Sequence, residues 1–125
     1  MEKKKLDPNR LIQTIKNHPD YGKAGMILCH NGVVRETSRN GEAVSGISIT
    51  VDYKQLEIII AKHKSRPGII EILVEIADEG KKLAVGEDVM LIAVAGDIRE
   101  NVIETLTDTL NDIKKSVTGK TEYFV

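Results

Sequence analysis

The side chains best suited by type to do chemistry in this sequence are cations. Arg35 closes an apolar segment, Arg99 falls where a helix is expected to begin, and Lys114, Lys115 and Lys120 gather around that helix's far end. Guanidinium and ammonium groups bind phosphates and carboxylates through charge-assisted hydrogen bonds, so together they would suit an anionic ligand. Singly, each has a plainer use: lysines at a helix C-terminus offset the macrodipole, and an arginine at a strand end is ordinarily solvated. Other chemistry is less well supported. His18, His30 and His63 are scattered, none three or four residues from another His or a Cys, and that spacing suggests no metal site. Cys29 precedes His30, but strand neighbours point to opposite faces, so Cys29 reads as a small buried residue. The pairs Gly22/Gly25 and Gly80/Gly86 lack the strand-to-helix setting of a phosphate loop, and Gly119-Lys120-Thr121 has no Gly-rich loop before it.

These cations need elements to hold them. Asp7-Pro8 is a helix start, an N-cap followed by a proline where no donor is missed. Leu11, Ile12 and Ile15 share one face, and Pro19, Tyr21 and Gly22 end the helix. The run Ala24 to Cys29 leads into Val33-Val34-Arg35 as a first strand, with His30-Asn31-Gly32 interrupting it as a bulge or bend would. The polar segment Glu36 to Glu42 contains Asn40-Gly41, a hairpin signal, and is expected to be mobile. Ile47, Ile49, Val51 and Tyr53 alternate with Ser48, Thr50 and Asp52, the period of a half-buried strand. Lys54 to Lys64 is expected to be helical and to stop at Pro67-Gly68.

Ile70, Ile72, Val74 and Ile76 form a third strand, Asp78 to Asp88 a loop, and Val89 to Ala95 a fourth strand. That fourth strand is apolar at every position, as a strand covered on both faces would be. Asp97 and Glu100 have capping-box spacing, and Ile98, Val102, Ile103, Leu106, Leu110 and Ile113 mark the third helix to about Lys115. Gly119 is a plausible stop, and Thr121 to Val125 a short last strand. The order α-β-β-α-β-β-α-β implies an α+β fold, a mainly antiparallel sheet covered on one side by helices.

Size and composition bound the rest. A chain of 125 residues forms one domain, 1–125. With 18 Lys and Arg against 19 Asp and Glu, the net charge of -1 disfavours a nucleic-acid or membrane-surface partner. The aromatics are Tyr21, Tyr53, Tyr123 and Phe124 only, too few for a base-stacking surface. One cysteine excludes an intrachain disulfide and fits a reducing compartment. Neither the charged start, Met1 to Leu6, nor any later stretch has the apolar length of a signal peptide or membrane span, so a soluble cytoplasmic protein is expected.

Taken as a whole, the chain resembles the large, catalytic subunit of molybdopterin synthase. The family's apolar strand, Gly-x-Val-Arg and mobile polar loop correspond to Gly25-Met26-Ile27-Leu28-Cys29, Gly32-Val33-Val34-Arg35 and Glu36 to Glu42. Tyr53 ends the next strand as a family Tyr does. The family's Gly-x-Leu-x-x-Gly-(Asp/Glu) turn resembles Gly80 to Glu87 with one extra residue, its His-Arg helix start falls on Ile98-Arg99, and its late helical lysine falls on Lys114. The likeness spans about residues 6–122. It departs from the family where a histidine is replaced by Ile98, where an acid and arginine near Gly80 are missing, and where Pro-x-Trp-Lys-x-Glu is reduced to Thr118-Gly119-Lys120-Thr121-Glu122. Lys120 matches the family's second lysine if one residue is deleted. The family's basic tail has no counterpart before Val125, which marks a divergent or trimmed member.

The resemblance implies an α/β-hammerhead-like fold and an enzyme of molybdenum cofactor biosynthesis. Such an enzyme takes sulfur from the C-terminal Gly-Gly thiocarboxylate of a small ubiquitin-like partner and installs a dithiolene on cyclic pyranopterin monophosphate. Arg35 and Arg99 would bind the substrate, Lys114 would sit beside the partner's last glycine, and Lys120 would stabilise negative charge or transfer a proton after like charges lowered its pKa. No cofactor or metal is implied, and a homodimer with one small subunit on each protomer is. Fifteen residues of ideal helix separate Arg99 from Lys114 by about 22 Å, so they would serve different ends of an elongated groove or sites shared between protomers. Two other readings stand beside this one: a non-catalytic module that binds a ubiquitin-like tail or pterin on the same fold, and an unrelated α+β interaction protein.

Overall fold

The computed structural model describes residues 5–125; the charged start, 1–4, lies outside them. Helix α1 (Pro8–Lys16) begins as its sequence dictates, with the Asp7 carboxylate accepting from the Asn9 amide and Pro8 in the first turn. A single 3₁₀ turn, Tyr21–Lys23, leads to β1 (Met26–Val33), followed by β2 (Val44–Val51), α2 (Tyr53–Lys64) and β3 (Ile69–Ile76). A two-residue strand β4 (Leu83–Ala84), β5 (Asp88–Gly96), α3 (Arg99–Ser116) and β6 (Thr118–Phe124) complete the chain.

The fold is α+β, and its strands form two three-stranded sheets, ordered β1-β5-β3 and β4-β2-β6, with every pairing antiparallel. Strand β5 explains why two layers of cover are needed. Met90, Ile92 and Val94 join the main core, with Ile47 and Ile49 of β2, Leu56 and Ile59 of α2, and Val102 and Ile113 of α3. Leu91, Ala93 and Ala95, on the opposite face, are sealed by Leu11 and Ile15 of α1. Helices therefore cover both faces of the first sheet. Helices on one face would have left half of β5 in water, at roughly 25 cal/mol for each Å² of apolar surface.

Four further sequence expectations are corrected. Asn40-Gly41 does not join a hairpin, because β1 pairs with β5 and β2 with β6. The turn itself forms: Gly41 (φ +85°) donates to the Ser38 carbonyl, and Thr37 bridges Ala43, but the flanking strands then part into separate sheets. His30-Asn31-Gly32 does not interrupt β1; the register shift comes one step later, between Gly32 and Val33. Asp97 and Glu100 form no capping box. The Asp97 carboxylate instead accepts from the Ile98 amide and the Asn101 side chain, Ile98 is the N-cap, and Glu100 accepts from Arg99. Finally, β6 starts at Thr118, earlier than Thr121, and carries Gly119 within it. Its full length pairs with β2 from Val44 to Val51. Among the described residues no helix is long and apolar enough to cross a membrane.

Candidate functional site

Where β1 leaves the first sheet, a cleft of about 690 Å³ opens toward the second. Its walls come from four places distant in sequence, and each is positioned by a specific piece of backbone. After the register shift at Gly32/Val33, the chain stays attached through Val34, whose amide donates to the Glu87 carbonyl while its own carbonyl accepts from Gly86. Gly86 has φ +88°, a conformation other residues rarely adopt, so the Gly86 turn anchors the strand exit. Arg35, the next residue, is thereby held at the cleft, and its Nε donates to the Thr37 carbonyl at 2.9 Å.

The opposite wall is built by register. Lys120 on β6 faces Ile49 on β2, and Glu122 faces Ile47; cross-strand partners share a sheet face, so Lys120 and Glu122 point into the cleft with those isoleucines. Lys114 arrives from the last turn of α3. The end of that helix is fixed by its C-cap, Val117, whose amide donates to Ile113 and whose carbonyl accepts from Asp52, the N-cap of α2.

Three of the four site residues expected from the sequence therefore meet: Arg35, Lys114 and Lys120 all line one cleft. Arg99 does not. It sits at the other end of α3, exposed, with its Nε 3.3 Å from Glu100. Lys115, the remaining cation of that cluster, is exposed and outside the lining. Two further cleft residues were not singled out by sequence reasoning as binding groups. Arg39 enters from the 37–43 turn, and His30 from β1. The signal for His30 was its spacing: it lies two residues from Gly32, so both share a strand face, and Gly32 leaves the ring room, since a Cβ there would lie 3.3 Å from Nε2. Cys29 points the other way, against the α1 side of the sheet, where burial pushes its thiol pKa up.

The charge inside the cleft differs from that of the chain. Arg35, Arg39, Lys114 and Lys120 face one carboxylate, Glu122, which is 3.9 Å from Lys120. A cationic pocket with apolar walls concentrates anions even when the net charge is slightly negative. His30 stays neutral there: burial first, and the Lys114 charge second, hold its pKa below the ordinary 6.5. Among the described residues no three His, Cys, Asp or Glu side chains cluster as a metal site would require.

Residues 1–116 match the family described as MoaE protein. The chain belongs to this family, the large-subunit family of molybdopterin synthase, and so to molybdenum cofactor biosynthesis. Lys120 lies beyond the matched residues, and its place in the cleft rests on the β2–β6 register. The chain is similar in fold to a molybdopterin synthase from Staphylococcus aureus, at 20% identity and a TM-score of 0.79 over 96% of this chain and 86% of that one. It is similar also to molybdopterin cofactor biosynthesis protein E from Burkholderia multivorans ATCC 17616, at 22% identity and a TM-score of 0.75 over 98% and 85%. A third likeness is to a complex of subunits 1 and 2 of molybdopterin-converting factor from Helicobacter pylori 26695, at 18% and 0.67 over 96% and 84%. No curated protein is similar enough to count as a match.

Proposed function

We propose that this chain is the sulfur-transferring subunit of a molybdopterin synthase. It accepts the C-terminal Gly-Gly thiocarboxylate of a small ubiquitin-like carrier and delivers the sulfur to cyclic pyranopterin monophosphate, two such transfers supplying the two sulfurs of the dithiolene. The observation that carries the reading is the convergence of Arg35, Lys114 and Lys120 on one cleft in a chain whose net charge is only -1. Both ligands are anions, and cations gathered around one partly apolar cleft attract an anion more strongly than the same charges scattered over the surface would. In this reading Lys114 lies beside the carrier's last glycine, Lys120 stabilises the charge that develops as the carbon–sulfur bond breaks, and Arg35 orients the phosphate. Arg99, at the far end of α3, serves a substrate only across a homodimer or along an extended groove.

The test is direct. The protein is incubated with a thiocarboxylated carrier and the cyclic pterin, and sulfur incorporation is followed by mass. Lys114→Ala should lower transfer at least 100-fold with carrier binding kept. A second reading, a binding module without chemistry, draws on Ile98, which is 53% exposed where the family resemblance places a histidine. Carrier binding with no sulfur transfer by the unaltered chain would select that reading.

A further inference from the structure

The chain has three histidines, and two are already engaged. His18 lies 3.8 Å from Glu71, and His63 is buried with Nε2 2.7 Å from Asp112. His30 is the third. It lines the cationic cleft, and among the described residues neither of its ring nitrogens has a hydrogen-bond partner. Lys114 from α3 is the charge that acts on it, and the same cleft is lined by Arg35 and Arg39 from the β1 exit and its turn, by Lys120 and Glu122 from β6, and by the apolar Val89 and Met90 of β5.

Resting on the sulfur-transfer reading above, we infer that His30 is the general base that frees the spent carrier from the substrate. The chemistry requires such a group. Once the thiocarboxylate sulfur has bonded to a pterin carbon, the carrier's terminal glycine is joined to the substrate by a thioester. Water must then cleave it. Its oxygen bonds to the glycine carbonyl carbon, one of its protons passes to the free nitrogen of His30, and the carbon–sulfur bond breaks with its electron pair left on sulfur. His30 returns the proton to that thiolate or to solvent, and the carrier leaves as a carboxylate. No oxidant or reductant enters.

The other groups of the cleft are poorly suited to the task. Arginine and lysine arrive as cations by type, and the one carboxylate, Glu122, already faces the Lys120 ammonium. An imidazole ordinarily accepts a proton near neutral pH, and burial first, with the Lys114 charge second, keeps His30 free to do so. The cations of the cleft attract the carbonyl oxyanion that forms as water attacks.

The experiment is a single-turnover reaction of the full chain with a ubiquitin-like carrier bearing a Gly-Gly thiocarboxylate and the cyclic pterin, comparing the unaltered chain with His30→Gln and His30→Ala. Intact mass follows the carrier–pterin adduct. Both variants should bind carrier unchanged and form the adduct, then release it about 100-fold more slowly. The unaltered chain's release rate should rise with pH around an inflection below 6.5, and that inflection should vanish in His30→Gln. Adduct release by His30→Gln within twofold of the unaltered chain, with the same pH profile, overturns the role of His30 and leaves the sulfur-transfer reading intact. An unaltered chain that forms no adduct and moves no sulfur overturns both. Should either variant unfold, the pH profile of the unaltered chain still decides, since a profile that stays flat from pH 8 down to the acid limit of the folded chain leaves no titrating base.

Discussion

Lys114 acts on His30 as well as on any anion that enters the cleft, and the two effects can be separated at the level of single residues. Burial is the larger cause of the depressed His30 pKa, and the Lys114 charge is the smaller. Lys114→Gln should therefore move the His30 imidazole titration, followed by NMR, upward but not as far as 6.5. A downward or absent shift would separate the two groups. The sign for stability follows by linkage: between 6.5 and the lower folded pKa the unfolded chain binds more protons, so His30 costs stability as pH falls through that window. A second pair, remote from the cleft, stitches α2 to α3. His63, 1% exposed, meets Asp112, whose pKa the His63 hydrogen bond holds below its ordinary value, aided by Lys62. Stability from Asp112 is present above its unfolded value of 3.8 and is lost as pH falls through the lower folded pKa. His63→Ala should cost roughly 2–4 kcal/mol in urea unfolding, since it opens a buried space and strands one side of the pair. A cost under about 1 kcal/mol would mean that the seam relaxes around the gap.

Elements are where sequence reasoning and structure can be weighed against each other. Strand β5 was legible because an uninterrupted apolar run has few stable settings, and β2 because Ile47, Ile49 and Val51 alternate cleanly. The two sheets were not legible, since local pattern reports which face of a strand is buried and is silent about its neighbour. Asn40-Gly41 encodes its turn correctly and its strand partners not at all. The cleft was half legible for the same reason: the types of Arg35, Lys114 and Lys120 marked them, whereas His30 became visible only when β1 proved continuous through it. Strand β4, two residues long, left no period to read, although its brackets Gly80 and Gly86 both have positive φ. These turns make a graded prediction. Gly86→Ala meets no atom within 4 Å and should cost only the backbone term, roughly 1–2 kcal/mol. It should also loosen the Val34 bonds that hold Arg35. Gly68, at φ +82°, would drive a Cβ into the Asp97 carboxylate and to 2.7 Å from the Asn101 amide. Gly68→Ala should therefore cost clearly more than Gly86→Ala in the same urea series, and equal midpoints would show that the start of α3 moves freely.

At the scale of the whole molecule, the continuous helix Arg99–Ser116 keeps Arg99 and Lys114 apart, and only three of the four expected cations share a cleft. If Arg99 serves the substrate, it does so along a groove on its own protomer or in the cleft of a partner. A two-fold dimer distinguishes these by complementation, because an isologous interface brings one patch of each copy to the other's site. Arg99→Ala and Lys114→Ala should each be nearly inactive in sulfur transfer. Mixed in equal amounts and allowed to exchange, half of the dimers contain one copy of each. In such a mixed dimer, one shared site has both Arg99 and Lys114 intact and the other has neither. The mixture should then recover about one quarter of the unaltered activity. A site confined to one protomer recovers nothing, since every copy lacks one of the two groups. Light scattering at micromolar concentration supplies the accompanying check: a dimer is expected, and a monomer would remove the shared-site arrangement and leave only a groove along one protomer to connect Arg99 with the Lys114 cleft.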